Sequence, residues 1–216
     1  MNPRGYTKKE DEDKRDKFSF DDFMNGEYKV RQFHAKWMSD GDSFLYKNED
    51  GAVMEFNCTT NSTEMLMDNT TFRELNTGDW QISEDRMYVL LAHDMTKLYR
   101  HSKFAQYSVY SIKDRTRKKF EGPEGPIFRY IGWSPTGHSL VFVQNNNLYY
   151  LEDYDYHNTK KQAKQITFDG AQGEIFNGIP DWIYEEEVLG SDHALWWSTK
   201  GKQGKKIQDS RLKLLI

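Results

Sequence analysis

Four strings return along the chain, each a sharp turn leading into an apolar strand. They are KWMSDGDSFLY from residue 36, QISEDRMYVLL from 81, GWSPTGHSLVFV from 132 and WWSTKG from 196. Three carry a W-x-[ST]-x-G-like core, of which WSPTG is the cleanest copy, and the second keeps the shape without the tryptophan. Ser39, Ser83, Ser134 and Ser198 mark the repeats, separated by roughly one four-stranded unit each. A period of ~40–50 residues with four short strands is how a β-propeller blade is written. One blade cannot bury both of its faces, so such a chain must stack blades around an axis. The competing fold is a β-sandwich with accidental Trp–Ser repeats. The expected class is therefore all-β, the first blades of an incomplete propeller.

Strands dominate the rest of the reading. SFLYKNEDGAVMEFN (43–57) is two strands around an Asn48–Gly51 turn, and LVFVQNNNLYYLE (140–152) repeats that design. FAQYSVYSI (104–112) alternates bulky and small residues as a half-buried strand does. Helices are expected only near Asp21–Asn25 and across Asp181–Leu189. Residues 1–17 alternate charges with no apolar period and read as a disordered arm. Aromatic residues at 15% supply ample buriable area for a folded domain, and a net charge of -4 gives no reason to expect a nucleic-acid partner.

Compartment signals conflict. The longest apolar run, MYVLL (87–91), falls far short of the ~20 residues that span a bilayer. The opening MNPRGYTKKEDEDKRDKF lacks the apolar core of a signal peptide. Yet Asn57, Asn61 and Asn69 are N-x-[ST] acceptors within 13 residues, a pattern that matters only in the secretory lumen. The single cysteine, Cys58, cannot form an internal disulfide and reads as a plain strand residue. Together these suggest an incomplete chain.

The chemistry concentrates in NGIPDWIYEEEVLGSDHALWWS (177–198), where Glu185, Glu186 and Glu187 stand between aromatic clusters. An acidic, solvated helix face is the plain interpretation. No G-x-S-x-G string supplies the strained turn that exposes a nucleophilic serine, and GHSL at 137 is not one. Neither H-E-x-x-H nor a Cys/His cluster occurs, and GKQGKK at 201 does not fit a phosphate loop. Catalytic residues, a metal and a cofactor are accordingly not expected within these 216 residues.

The 177–198 segment resembles the signature of the dipeptidyl peptidase IV family. The likeness continues through FSFDDFMNGEYKVRQFHAKWMSDGDSFLYKNEDGAVMEFN, LYRHSKFAQYSVYSI and YIGWSPTGHSLVFVQNNNLYYL, so it runs from about Phe18 to Ser198. The resemblance implies an extracellular, membrane-anchored glycoprotein, usually a homodimer, whose eight-bladed propeller caps an α/β-hydrolase. Active members release N-terminal dipeptides when proline or alanine is second.

By that resemblance Glu186 and Glu187 bind the substrate's α-amino group, from a short helix directed into the propeller cavity. An ammonium has three donors and can bridge two acceptors. Glu185 is then structural, its side chain turned away from the cavity. Arg100, in LYRHS, hydrogen-bonds a substrate backbone carbonyl by the same resemblance. The channel-associated members replace that arginine, so its presence favours descent from an active peptidase.

Residues 18–198 are thus expected to be a partial propeller. Residues 199–216 diverge from the family into a basic tail, and the hydrolase domain is expected to be absent. The expected function is a fragment or truncated isoform of a prolyl dipeptidyl peptidase, inactive alone. The alternative is a non-enzymatic propeller binding protein like the channel subunits.

Overall fold

A computed structural model describes residues 18–28, 33–158 and 162–197, together with the backbone of 212–214. The expected disordered arm (1–17) and most of the basic tail (199–216) lie outside the described residues. The chain forms two compact units, Met1–His34 and Ala35–Ile216.

The smaller unit contains helix α1 (Phe20–Asn25), close to the expected span. Ser19 starts it by accepting a hydrogen bond from the Asp22 amide at 3.4 Å, and Gly26, at φ +79°, ends it in a left-handed cap.

The larger unit is built from antiparallel sheets in sequence order. Strands β1 (Ala35–Trp37), β2 (Ser43–Lys47), β3 (Val53–Asn57) and β4 (Ser62–Met67) form the first. Helix α2 (Thr70–Leu75) leads to the second, made of β5 (Asp79–Ile82), β6 (Tyr88–Lys97), β7 (Lys103–Ser111) and β8 (Thr116–Phe120). The third holds β9 (Tyr130–Trp133), β10 (Leu140–Gln144), β11 (Asn147–Leu151) and β12 (Lys164–Gln165). A two-stranded sheet follows, in which β13 (Leu195–Trp197) pairs with β14 (Leu212–Leu214) inside the expected basic tail. These are propeller blades, as the repeat requires.

The apolar runs are continuous because the blades are covered on both sides. Along β6, Val89 and Leu91 pack toward the first blade with Leu45, Val53 and Ile82. Tyr88, Leu90 and Ala92 pack toward the third with Phe142, Trp133 and Leu151. In β10, Leu140 and Phe142 join that second interface, while Val141 and Val143 meet Ile179 and Leu195 beyond it. Truncating Phe142, which is fully buried, removes its packing contacts and costs about 3–5 kcal/mol.

Register corrects one detail of the repeat. Trp37 pairs with Phe44, Ile82 with Val89 and Trp133 with Leu140, so Trp37, Ile82 and Trp133 are equivalent. The corner four residues later is left-handed in each of these three copies: Gly41 at +74°, Arg86 at +61° and Gly137 at +66°. Met38, not Ser39, therefore takes the place of Ser83 and Ser134. Each of these three donates its amide to the strand-start carbonyl opposite, on Ser43, Tyr88 and Ser139. The tryptophan-to-glycine spacing is right, and the serine alignment slips by one residue in the first repeat.

Arg86 holds a backbone conformation that the other corners give to glycine. Its side chain crosses to the first blade, donating to Glu55 at 2.7 Å, to Ser43 Oγ at 2.6 Å and to Asp40. The equivalent acid of the second blade, Asp85, is met in turn by His138 of the third. Adjacent blade corners are thus linked side chain to side chain.

Helix α2 has no counterpart in the expected elements. Cys58 is free and exposed, in the turn after β3 rather than within a strand.

Candidate functional site

The acidic segment is an excursion from the blade with a closed neck. Ala194 N donates to Gly178 O at 2.9 Å, and a Cβ on Gly178 (φ +76°) would press on Leu148, Val143 and Leu195 within 3.1–3.3 Å. Glycine is required there by both backbone and space. Beyond the neck the chain winds into a π-helix, Tyr184–Leu189, where an α-helix was the simpler expectation. Asp181 starts it by accepting the Tyr184 amide at 3.0 Å, and Gly190 ends it at φ +56°. Wide π turns recur at functional sites because they re-aim neighbouring side chains. The aromatic company of the glutamates faces solvent: Trp182 is 54% exposed, and Ile183, Tyr184 and Val188 are similarly open.

Two of the three glutamates, Glu185 and Glu186, meet the tip of the β6–β7 hairpin, Leu98–Ser102. Leu98 N to Ser102 O (3.0 Å) closes that tip and leaves its next amides without local partners. Glu186 accepts the Arg100 amide at 2.8 Å and pairs with Arg100 Nε at 2.9 Å. The Glu186 side chain is 8% exposed and that of Arg100 68%. The two terminal guanidinium nitrogens of Arg100 have no partner among the described residues. Glu187 is exposed and likewise unpaired among them. Glu185 is 0% exposed and accepts the amides of His101 at 2.8 Å and Ser102 at 2.7 Å. The fold therefore brings Arg100 and Glu186 together, with Glu187 beside them and Glu185 beneath.

The arrangement can hold a small cation and a carbonyl at once. A fixed, oriented arginine with unused donors suits an acceptor oxygen, and an exposed carboxylate beside a half-used one suits an ammonium.

Sequence reasoning missed Arg129. It is buried, its guanidinium lies 4.9 Å from the Phe104 ring centroid, and burial draws it below its ordinary range, opposed by Glu185 and Tyr99. A lone arginine in IFRYIGW gives no positional signal. Its one clue is a charge inside a run that is otherwise apolar or aromatic.

A Ser–His–Asp relay does occur elsewhere. His93 lies 3.0 Å from Ser108 Oγ through Nε2 and 3.0 Å from Asp94 through Nδ1. Ser108 is 0% exposed in the middle of β7, so its hydroxyl cannot meet a substrate. The relay satisfies buried polar groups. A cavity of about 700 Å³ is lined by Lys119, Phe120, Phe142, Leu151, Tyr154 and Asp155, with none of the Arg100 cluster in its wall. Among the described residues no group of His, Cys, Asp or Glu is arranged to hold a metal ion, and no helix is long and apolar enough to cross a membrane.

The sequons differ in setting. Asn61 is exposed at the β3–β4 turn with φ +53°. Asn57 is partly buried, and its Oδ1 accepts Thr60 N at 2.8 Å and Thr60 Oγ1 at 3.0 Å. Asn69 is partly buried at the start of α2.

Residues 83–205 match the family model described as the dipeptidyl peptidase IV N-terminal region. The chain is 35% identical over 181 residues to prolyl endopeptidase FAP of Bos taurus, covering 84% of this chain and 23% of that protein. It is 34% identical over 189 residues to inactive dipeptidyl peptidase 10 of Rattus norvegicus, covering 87% and 23%. It therefore spans about a quarter of the length of these relatives. The crystal structure of Porphyromonas gingivalis dipeptidyl peptidase 4 superposes with a TM-score of 0.67 at 24% identity, over 85% of this chain and 26% of that one. That superposition supports the propeller fold.

Proposed function

Because the chain belongs to the dipeptidyl peptidase IV family through that family's N-terminal region, we propose that it captures the free amino terminus of a peptide. It does so as part of a prolyl dipeptidyl peptidase that releases X-Pro or X-Ala dipeptides. Glu187 and the outer lone pairs of Glu186 receive the ammonium. The unused nitrogens of Arg100 receive a backbone carbonyl of the same peptide. The observation that carries this reading is the two-point grip of Glu186 on Arg100, through main chain and side chain together. It fixes a cationic donor beside an open carboxylate, which is the spacing device a dipeptidase needs to count two residues from an amine.

No G-x-S-x-G nucleophile occurs in these 216 residues, so they bind in this reading and do not themselves cleave. An extracellular location and a homodimeric parent accompany the proposal, supported by the three sequons and the family. Comparable identity to an inactive relative supports a second reading, a propeller that binds proteins without catalysis.

Titration of the full chain with Gly-Pro-Ala and with its N-acetylated form separates the two readings. The free amine is expected to bind roughly tenfold or more tighter than the acetylated peptide, since a charge-assisted contact is lost. Affinity is expected to fall as pH passes the α-amino pKa of about 7.7–8.0. Equal binding of both peptides would remove the amine anchor and leave the second reading.

A further inference from the structure

Nothing of Glu185 reaches solvent, so it cannot touch a peptide. Yet its Oε1 takes two successive amides from the residues that follow Arg100. Its Oε2 has no hydrogen-bond partner. A buried carboxylate with an unmet oxygen is costly unless a compensating charge lies nearby.

Arg129 supplies it. Its guanidinium is held against Phe104 at the base of the hairpin tip, and its Nε is also buried without a partner. Burial pulls this arginine below its ordinary range, opposed first by the charge of Glu185 and then by Tyr99 of the same tip. Glu185 is thus buried behind the 101–102 amides, while the Arg100 guanidinium held by Glu186 lies outermost.

We infer that Glu185, backed by Arg129, is the positioning residue for Arg100: it fixes the 101–102 backbone and thereby the direction in which the Arg100 guanidinium is presented. This rests on the proposed capture of an amine and a carbonyl. Glu186 alone leaves Arg100 tethered to a helix that could shift with it. Glu185 ties the same helix to the hairpin at a second, solvent-free point.

The full chain labelled with ¹⁵N tests this through the Arg100 Nε–H resonance, which reports its pairing with Glu186, and through the affinity for Gly-Pro-Ala. Glu185→Gln keeps an acceptor oxygen but turns a neutral amide toward Arg129. It is expected to move the Arg100 resonance toward that of a free arginine and to weaken the peptide roughly tenfold. Adding Arg129→Gln removes the lone buried charge and is expected to restore both readouts most of the way. Glu185→Asp retains charge but not reach, and it carries the same test should Glu185→Gln fail to fold.

A Glu185 variant that lowers thermal stability while leaving the Arg100 resonance and the affinity unchanged would overturn the inference and make the residue a structural support. Failure of Arg129→Gln to rescue would overturn the paired-charge account. Absence of peptide binding in the parent chain, with the Arg100 resonance still responding to Glu185→Gln, would sink the proposed function and leave the positioning role standing.

Discussion

Two hairpin tips, one in each of the first two blades, solve the same problem by opposite means. The β3–β4 turn satisfies itself: Asn57 Oδ1 accepts both the amide and the hydroxyl of Thr60, and Thr60 Oγ1 lies 2.7 Å from Ser62 Oγ. The β6–β7 tip borrows its acceptors from carboxylates more than eighty residues further on. A locally satisfied turn keeps its shape whatever surrounds it, and its surface is left free for attachment. A remotely satisfied tip has a shape only when the rest of the fold is in place, and its side chains are aimed by that fold. Attachment suits the first and recognition the second.

The contrast is open to breaking by substitution. Glu185→Ala strips two backbone amides of their acceptor, and it is expected to lower unfolding free energy by about 2–4 kcal/mol in denaturant titrations. A loss under about 1 kcal/mol would put the two tips on equal footing.

Arg86→Gly asks whether blade corners also depend on remote contacts. Glycine relieves about 1–2 kcal/mol of left-handed backbone strain. It also removes contacts to Glu55, Ser43 and Asp40; the first two are worth about 1.5 kcal/mol each, the low end for bonds to charged groups because Arg86 is partly exposed. The contacts outweigh the strain, so a net loss of about 1–2 kcal/mol is expected in the same titration.

The same link has a pH signature. Arg86 first, with the Asp42 and Ser43 amides and the Ser43 hydroxyl, lowers Asp40 to about 2 against the opposing effect of burial. Its stabilisation is therefore complete above the ordinary aspartate range near 4 and is lost as pH falls from there through about 2. Acid unfolding of Arg86→Gly is expected to lack that component. Coincident acid transitions in the two proteins would show that the corner link contributes nothing.

Smaller effects are expected at the self-satisfied tip. Asn57→Ala should cost about 0.5–1.5 kcal/mol, the worth of local neutral hydrogen bonds. Asn61→Gln should change stability by no more than about 0.5 kcal/mol. Secreted from a eukaryotic cell behind a supplied signal peptide, the chain is expected to carry sugar chiefly on Asn61. Glycosidase treatment should then shift the parent on a gel more than the Asn61→Gln form. An equal shift would move the attachment to Asn57 or Asn69.

Much of the fold was legible because burial writes itself into residue alternation. Strands covered on both faces, such as Tyr88–Ala92 and Leu140–Gln144, show as unbroken apolar runs between turns. The corner glycines at 41 and 137 set the repeat. Arg86 disguised the corner of the second copy, recognised by its shape alone, because an ion pair, invisible in sequence, replaces the glycine's freedom.

Helix α2 escaped because TTFREL is six residues long, too short for a helical period, and follows a sequon. The glutamate string marked the site, but the division of labour within it did not show. That division depends on a π-helix and on Arg129, both set by tertiary contacts rather than local spacing.

The distance between Glu185 and its partners also governs timing during synthesis. His101 and Glu185 are 84 residues apart. A ribosome adding about 5–20 residues per second completes the hairpin tip roughly 4–17 s before it supplies the carboxylates that shape it. Throughout that interval the nascent hairpin carries Arg100 on an unanchored loop, open to whatever anionic surface or chaperone is nearest.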